Sequence, residues 1–225
     1  LCHSTLLSLY LEISQTSLCA CEYLQYLLDS YVIFYLFSAS LKGIERYNPN
    51  NIETIQNYID VQVAENGYDL EANLALLKLY QFNPNMLNIE YVCKVLLKSL
   101  ASLPLSDYLL CKSLLSLEIL DNEKVKSIQT MAEMLEACSF KEFWAKSRTD
   151  FANLTRAIAG FEDNMRKYVC HVISTTYQRI PEERLCELLG LQDEDMMNQW
   201  IGNFKSNLHV YIIHIFDREH PTWDP

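Results

Sequence analysis

From Tyr68 to Phe82 the chain is apolar at most positions: Tyr68-Asp69-Leu70-Glu71-Ala72-Asn73-Leu74-Ala75-Leu76-Leu77-Lys78-Leu79-Tyr80-Gln81-Phe82. Wound at about 100° per residue, Leu70, Leu74 and Leu77 share one face, and Leu76 and Tyr80 flank it. Tyr68, Ala72, Leu79 and Phe82 cover the opposite side, and Glu71 with Lys78 forms the main charged break. A helix apolar nearly all round is one buried among other helices. This stretch is therefore expected to be the central helix of an all-helical domain. Asn66-Gly67 signals a turn before it, and Asn83-Pro84 a stop after it, because proline disfavours helical geometry in the preceding residue.

The same period continues on both sides. Ile52, Ile55, Ile59 and Val63 predict one helix, and Ile89, Val92, Cys93, Leu96, Leu97 and Leu100 another. Pro104 breaks the chain, after which Ser106 or Asp107 can cap a helix carrying Leu109, Leu110, Leu114 and Leu117. Asn122 can cap the next, with Val125, Ile128, Met131 and Leu135 on one face, and Ser139 opens a short aromatic helix with Phe140, Phe143 and Trp144. Helices joined by short links pack as antiparallel pairs, the layout of a helical-repeat array. No repeat is clean enough to set a period.

A second unit begins near Gly160. A long helix over 161–178 has Phe161, Met165, Tyr168, Val169, Val172 and Ile173 as its apolar side. Ile180-Pro181 starts a short helix holding Leu185, Leu188 and Leu189, since proline suits a first turn, and Gly190 is placed as the left-handed residue that ends it. Asp193 can cap a further helix with Met196, Met197, Trp200, Ile201 and Phe204. The run His209-Val210-Tyr211-Ile212-Ile213-His214-Ile215-Phe216 reads as a strand. Helix, short helix, glycine turn, second helix and strand is the order of a winged helix.

Charge narrows what such a fold could bind. The 225 residues carry a formal net charge of −11 with a pI near 4.9. The turn helix opens Gln192-Asp193-Glu194-Asp195 and has no Lys or Arg before Lys205. Carboxylates facing a phosphate backbone are repelled, so direct DNA binding is not expected and protein partners are. Eight cysteines are scattered without the paired spacing of a structural zinc site, which predicts reduced core thiols of an intracellular protein. Residues 1–41 form an atypical apolar extension with no Lys or Arg before Lys42. Its most apolar part, Tyr31 to Phe37, is too short to span a bilayer, so no membrane association is expected. The extension is expected to be an added packing helix or translated upstream or intronic sequence, ahead of a targeting segment.

Family resemblance enters through specific motifs. Leu41-Lys42-Gly43-Ile44-Glu45-Arg46-Tyr47-Asn48-Pro49 and Tyr68 through Pro84 are similar to signature segments of the K-subunit family of eukaryotic translation initiation factor 3, within the PCI class. So are Leu103-Pro104 with Ser106-Asp107, Leu110-Cys111-Lys112, and Leu135-Glu136 with Cys138, Phe140, Phe143 and Trp144. Late in the chain, Gly160-Phe161-Glu162-Asp163, Arg166-Lys167-Tyr168 and Cys170-His171-Val172, ending at Thr176-Tyr177-Gln178, resemble it most strongly. The likeness covers roughly residues 41–204. It implies a mostly all-α protein: a HEAT-like helical-repeat domain over 42–158, then a winged helix with a short β wing over 159–225. The family continues into a further helical tail, so this winged-helix unit is expected to be C-terminally short. The resemblance also implies a non-catalytic scaffold in the cytoplasm, without cofactor or metal, bound to other initiation-factor subunits (the L subunit especially) and through the complex to the small ribosomal subunit. A subunit of the proteasome lid or of the signalosome shares the architecture and is the alternative.

Candidate chemistry is sparse. Cys170-His171 suggests a nucleophile and base, but helical neighbours point about 100° apart; a thiol enzyme using Cys170 or Cys138 is the weaker alternative. His209 and His214 fall on opposite faces of the expected strand and cannot share a metal. Asn153-Leu154-Thr155 is a chance sequon without a secretory signal, and no glycine-rich phosphate loop occurs. The partner-interface candidates are Trp200, Phe204, Tyr211, Ile213 and Ile215, an apolar edge around the turn helix and strand. Such an edge can take part in sheet extension or simply complete the small domain's core.

Overall fold

The computed structural model describes residues 48–177, 180–191 and 196, and among these every regular element is helical. Asn48 opens the described chain by accepting a hydrogen bond from the Asn50 amide at 3.1 Å, capping a 3-10 turn at Pro49–Asn51. Helix α1 (Ile52–Ala64) buries Ile52, Ile55, Ile59 and Val63, the four positions its spacing marks. Asn66 makes the following turn with φ 54°, a left-handed conformation that asparagine tolerates better than most residues.

Helix α2 (Leu70–Phe82) is capped by Asp69, whose carboxylate accepts from the Ala72 amide at 3.1 Å, and it ends at Asn83 ahead of Pro84. Ala72, Ala75, Leu76, Leu77, Leu79 and Tyr80 are buried, as an all-round apolar helix requires. Leu70 and Leu74 are only half-buried and Phe82 is exposed, so the inward face is turned toward Leu76 and Leu79. The buried polar side chain the pattern hides is Asn73, which pairs across α1 with Gln62 at 3.4 Å.

The centre of the packing lies one helix later. Helix α3 (Ile89–Leu100), capped by Asn88, is buried without a break from Val95 to Leu100. It packs against α1, α2, α4 (Asp107–Ser113) and α6 (Glu123–Glu136). Between α4 and α6 lies the single turn α5 (Leu117–Leu120). Asn122 caps α6 by accepting from the Lys124 amide at 3.0 Å, and Val125, Ile128, Met131 and Leu135 are buried as expected.

The segment after Pro104 departs from its reading. One helix is expected through Leu117, whereas α4 stops at Ser113 and α5 is separate. Leu109, Leu110 and Leu117 face solvent, and Tyr108 and Cys111 take the inside. The cause is Asp107, a buried carboxylate that accepts from the Tyr68 hydroxyl at 2.9 Å and from Ser102 Oγ at 3.4 Å. Those bonds fix α4 with its Asp107 edge inward, which turns the leucines out.

Helix α7 (Phe140–Arg148) buries Phe140, Phe143 and Trp144 and leads through the turn α8 (Ala152–Thr155) to α9 (Phe161–Thr176). Helix α10 (Glu182–Leu189) follows Pro181 and ends at Gly190, left-handed at φ 66° as expected. A Cβ at Gly190 would meet the Trp144 ring at 2.5 Å, so the glycine also permits close packing. Trp144 Nε1 donates to the Leu188 carbonyl at 2.8 Å, and Arg166 Nε donates to Leu189 at 3.3 Å, holding α10 onto α7 and α9. One hydrophobic core runs through the described residues from Ile52 to Leu191. The extension 1–41, the turn helix (Met196 apart, which is helical) and the strand His209–Phe216 lie outside the described residues.

Candidate interaction surface

Among the described residues, four exposed leucines gather in the segment around α4 and α5. Leu105, Leu109, Leu110 and Leu117 are 58%, 64%, 46% and 80% exposed, against buried neighbours Tyr108 and Cys111. Leu105 lies in the bend just before α4, and Leu109 and Leu110 lie on α4 itself. Exposed leucines concentrated in one short segment are the kind of patch that marks an interaction site.

Carboxylates are exposed on α5 and on the last turn of α6. Glu118 follows Leu117, and Glu133 and Glu136 occupy the end of α6; all three are exposed. Glu133 and Glu136 sit in the last turn of α6, at the negative end of its dipole, where carboxylates are disfavoured and no basic residue offsets them. Their field reaches α4: the Tyr108 phenol is pushed up to about 12, first by burial and then by Glu136 and Glu133. Its hydroxyl is buried without a hydrogen-bond partner. Ion pairs among the described residues engage Asp60, Glu90, Asp121, Glu142, Glu162, Asp163 and Glu187, and none engages Glu118, Glu133 or Glu136.

A polar face lies across α1 and α3. Asp60 accepts from the Tyr91 hydroxyl at 2.9 Å and from Lys94 Nζ at 2.5 Å, while the Lys94 ammonium sits 4.4 Å from the Tyr91 ring centre. These groups satisfy one another. Near the start of α9 an open cleft of about 270 Å³ has Arg156, Glu162, Asp163 and Arg166 in its lining. Arg166 bonds Glu162, Asp163 and the Leu189 carbonyl, and is not set to receive an anion there.

Beside that cleft is the most unusual polar group of the core. Lys98, in the last turn of α3, is 2% exposed, and burial lowers its ammonium to about 8. Its ammonium donates to Asn66 Oδ1 at 3.4 Å, and the same oxygen accepts from Asn164 Nδ2 of α9 at 2.9 Å. The Ala159 amide donates to the Val63 carbonyl at 3.0 Å close by. Three distant parts of the chain thus meet at one turn. The closure is structural, since no open path leads to so buried an amine.

The thiols separate in a way the pattern does not foresee. Cys93, Cys111, Cys170 and Cys186 are buried, whereas Cys138, expected in the core, is exposed because it takes the left-handed position (φ 55°) just after α6. Burial pushes the Cys170 thiol up to about 12 and the Cys93 and Cys111 thiols to about 11, away from the thiolate a nucleophile needs. His171, next to Cys170, faces solvent. Among the described residues no cluster of His, Cys, Asp and Glu could hold a metal, and no helix is long and apolar enough to cross a membrane. Trp200, Phe204, Tyr211, Ile213 and Ile215 lie outside the described residues. The α4 surface is absent from the sequence reading. Its only local signal is an excess of leucines for so short a helix.

Comparison with known proteins bears on what this surface serves. The family model of the CSN8/PSMD8/EIF3K family matches residues 86–205, from the turn before α3 to beyond α10. The chain is 48% identical over 158 residues to eukaryotic translation initiation factor 3 subunit K of Drosophila erecta, covering 70% of this chain and 71% of that protein. It is 44% identical over 161 residues to the subunit K of Culex quinquefasciatus, covering 72% of each. With the human subunit K it shares 41% identity over 164 residues, 73% of this chain and 75% of that protein. Identity at this level over most of both chains, together with the family match over residues 86–205, means that the chain belongs to the CSN8/PSMD8/EIF3K family and, within it, to the subunit K proteins of eukaryotic translation initiation factor 3.

Proposed function

We propose that the protein is a scaffold subunit of eukaryotic translation initiation factor 3, supporting the start of protein synthesis through protein–protein contacts and with no chemistry of its own. The observation that carries this reading is its 41–48% identity to proteins named as subunit K, over about seven-tenths of its length. In keeping with a scaffold, burial raises the thiols of Cys170 and Cys111 away from reactivity, and core polar groups such as Gln62 with Asn73 and Tyr68 with Asp107 bond one another. The chain is read as a HEAT-like helical-repeat domain over 42–158 and a winged helix with a β wing over 159–225. The L subunit is its expected neighbour, with the small ribosomal subunit reached through the complex, in the cytoplasm. Trp200, Phe204, Tyr211, Ile213 and Ile215 stand as interface candidates in the winged helix.

The family description also spans CSN8 and PSMD8, so a signalosome or proteasome-lid scaffold is the second reading. Affinity purification of the tagged full-length protein separates the two. Co-recovery of initiation-factor subunits in stoichiometric amounts is expected. Recovery of proteasome-lid or signalosome proteins in their place would overturn the assignment.

A further inference from the structure

We infer that Asn66 is a site of spontaneous deamidation, in which the Gly67 amide attacks the Asn66 side chain while Lys98 and Asn164 hold the oxygen that takes up the charge. This is self-modification rather than catalysis on a substrate, and it stands independently of the scaffold reading.

Asn66-Gly67 is the sole Asn-Gly pair in the sequence. Glycine, with no Cβ, offers the least hindered backbone nitrogen for attack on the preceding side chain. Nothing in the fold calls for glycine there: Gly67 is not left-handed, and a Cβ on it would meet only the Gln62 Cα, at 3.8 Å. Asn66 is exposed in the turn after α1, at φ 54°. Among the described residues no backbone carbonyl accepts from the Gly67 amide, and the bonds of the Asn66 side chain are made by its oxygen, which leaves Nδ2 to depart. Oδ1 accepts from Lys98 Nζ at 3.4 Å and from Asn164 Nδ2 at 2.9 Å. Two donors on one carbonyl oxygen draw electron density from Cγ. One of them is the ammonium of a side chain only 2% exposed, where charge is weakly screened. Both are aimed where negative charge develops during attack, the arrangement that stabilises a tetrahedral intermediate of acyl transfer.

The reaction needs water alone. The Gly67 nitrogen gives up its proton and bonds to Asn66 Cγ. The Cγ–Nδ2 bond breaks, and Nδ2 departs as ammonia carrying that proton. Water then opens the succinimide ring. Attack at Cγ restores the main chain and leaves aspartate, whereas attack at the Asn66 backbone carbon leaves Gly67 joined through Cγ, as isoaspartate. Either product changes the tie that joins α3 to α9 across this turn. Aspartate sets a carboxylate against the buried ammonium. Isoaspartate adds a methylene to the main chain and withdraws the oxygen from both donors.

The test incubates the full-length protein at neutral pH and body temperature, then digests it with pepsin in acid, which halts the reaction. Peptides are resolved by mass spectrometry, with isoaspartate-specific methylation to tell the two products apart. Asn66 should convert ahead of the other asparagines, to both aspartate and isoaspartate. Gly67→Ala, for which the fold has room, should slow conversion severalfold by crowding the attacking nitrogen. Lys98→Met should also slow it severalfold, a small part of what one oxyanion donor supplies in an enzyme. Asn164→Ala removes the other donor from a different helix, and unchanged circular dichroism establishes that the variants fold. In urea, where these contacts are lost, the parent and both donor variants should react alike. Slower conversion in either folded donor variant upholds the proposal. Asn66 left intact while other asparagines react would overturn it, as would equal rates for the folded parent and both donor variants. Faster conversion on removing a donor would also overturn it, since the bonds would then hold the side chain away from attack.

Discussion

Lys98 allows a prediction with a definite sign. Burial lowers its ammonium from 10.5 to about 8, and its hydrogen bond to Asn66 at 3.4 Å compensates little of the lost hydration. At roughly 1.4 kcal/mol per pH unit, the charged form costs the folded state about 3 kcal/mol. Because the folded pKa is depressed, the unfolded chain holds more protons between about pH 8 and 10.5, and stability rises with pH across that window as the buried amine becomes neutral. Lys98→Met keeps much of the stem's volume and removes the charge. It should stabilise the protein at pH 7 by about 1–3 kcal/mol, the upper figure reduced by losing the Asn66 bond. At pH 10 most of that advantage should vanish, since the parent has by then gained about 2–3 kcal/mol from its own deprotonation. Raised thiols such as Cys93 and Cys111 act in the opposite direction, their contribution being lost as pH rises. They are common to both proteins and cancel in the difference. Urea melts followed by circular dichroism, at pH 7 and pH 10 under reducing conditions, give the comparison. A difference of equal size at both pH values would refute the reasoning, and so would a Met variant less stable than the parent at pH 7.

Two further predictions test the turn and the thiols. Gly160→Ala places a Cβ 2.4 Å from Asn66 Nδ2 on a backbone at φ 67°. Asn66 can move aside only by loosening its bonds to Lys98 and Asn164, so a loss of about 2–3 kcal/mol is expected in thermal or urea unfolding; a loss under about half a kcal/mol would show that the contact is slack. In iodoacetamide labelling with peptide mapping, Cys138 should react in the native protein, whereas Cys93, Cys111, Cys170 and Cys186 should wait for unfolding. Rapid native labelling of Cys170 would revive a thiol enzyme.

Helices α1, α3 and α6 were legible because their apolar residues keep one phase while polar residues fill the rest of the turn. That pattern places Ile55, Leu96 and Ile128 in the core without ambiguity. Helix α4 was misread because leucine count is a weak guide when a polar group decides the rotation. Asp107 looked like a capping residue, yet its partner Tyr68 lies 39 positions away, beyond any local rule. Lys98 was hidden in the same manner. One lysine in the run Val95 to Leu100 reads as the solvent side of a helix, but all six positions are buried and the Asn66 oxygen is 32 residues distant. Cys138 departs in the other direction, since the helix ends two residues before it, at Glu136, and Cys138 itself is left-handed. In each case the missing information was a tertiary partner or an exact helix end, which spacing does not encode.

The electrostatic pattern narrows where this chain acts. Burial moves every strongly perturbed group toward its neutral form: Tyr108 and the thiols of Cys93, Cys111 and Cys170 upward, Lys98 downward. A site built for acid–base work pushes neighbouring groups apart to opposite tasks near pH 7, and these helices show no such pairing. Of the perturbed groups among the described residues, Lys98 comes nearest that range, and it is 2% exposed. Among the described residues, charge without an ion-pair partner is instead found at the surface, on Glu118, Glu133 and Glu136. A neutral core whose helices are fixed by bonds such as Tyr68 to Asp107 suits the proposed scaffold role.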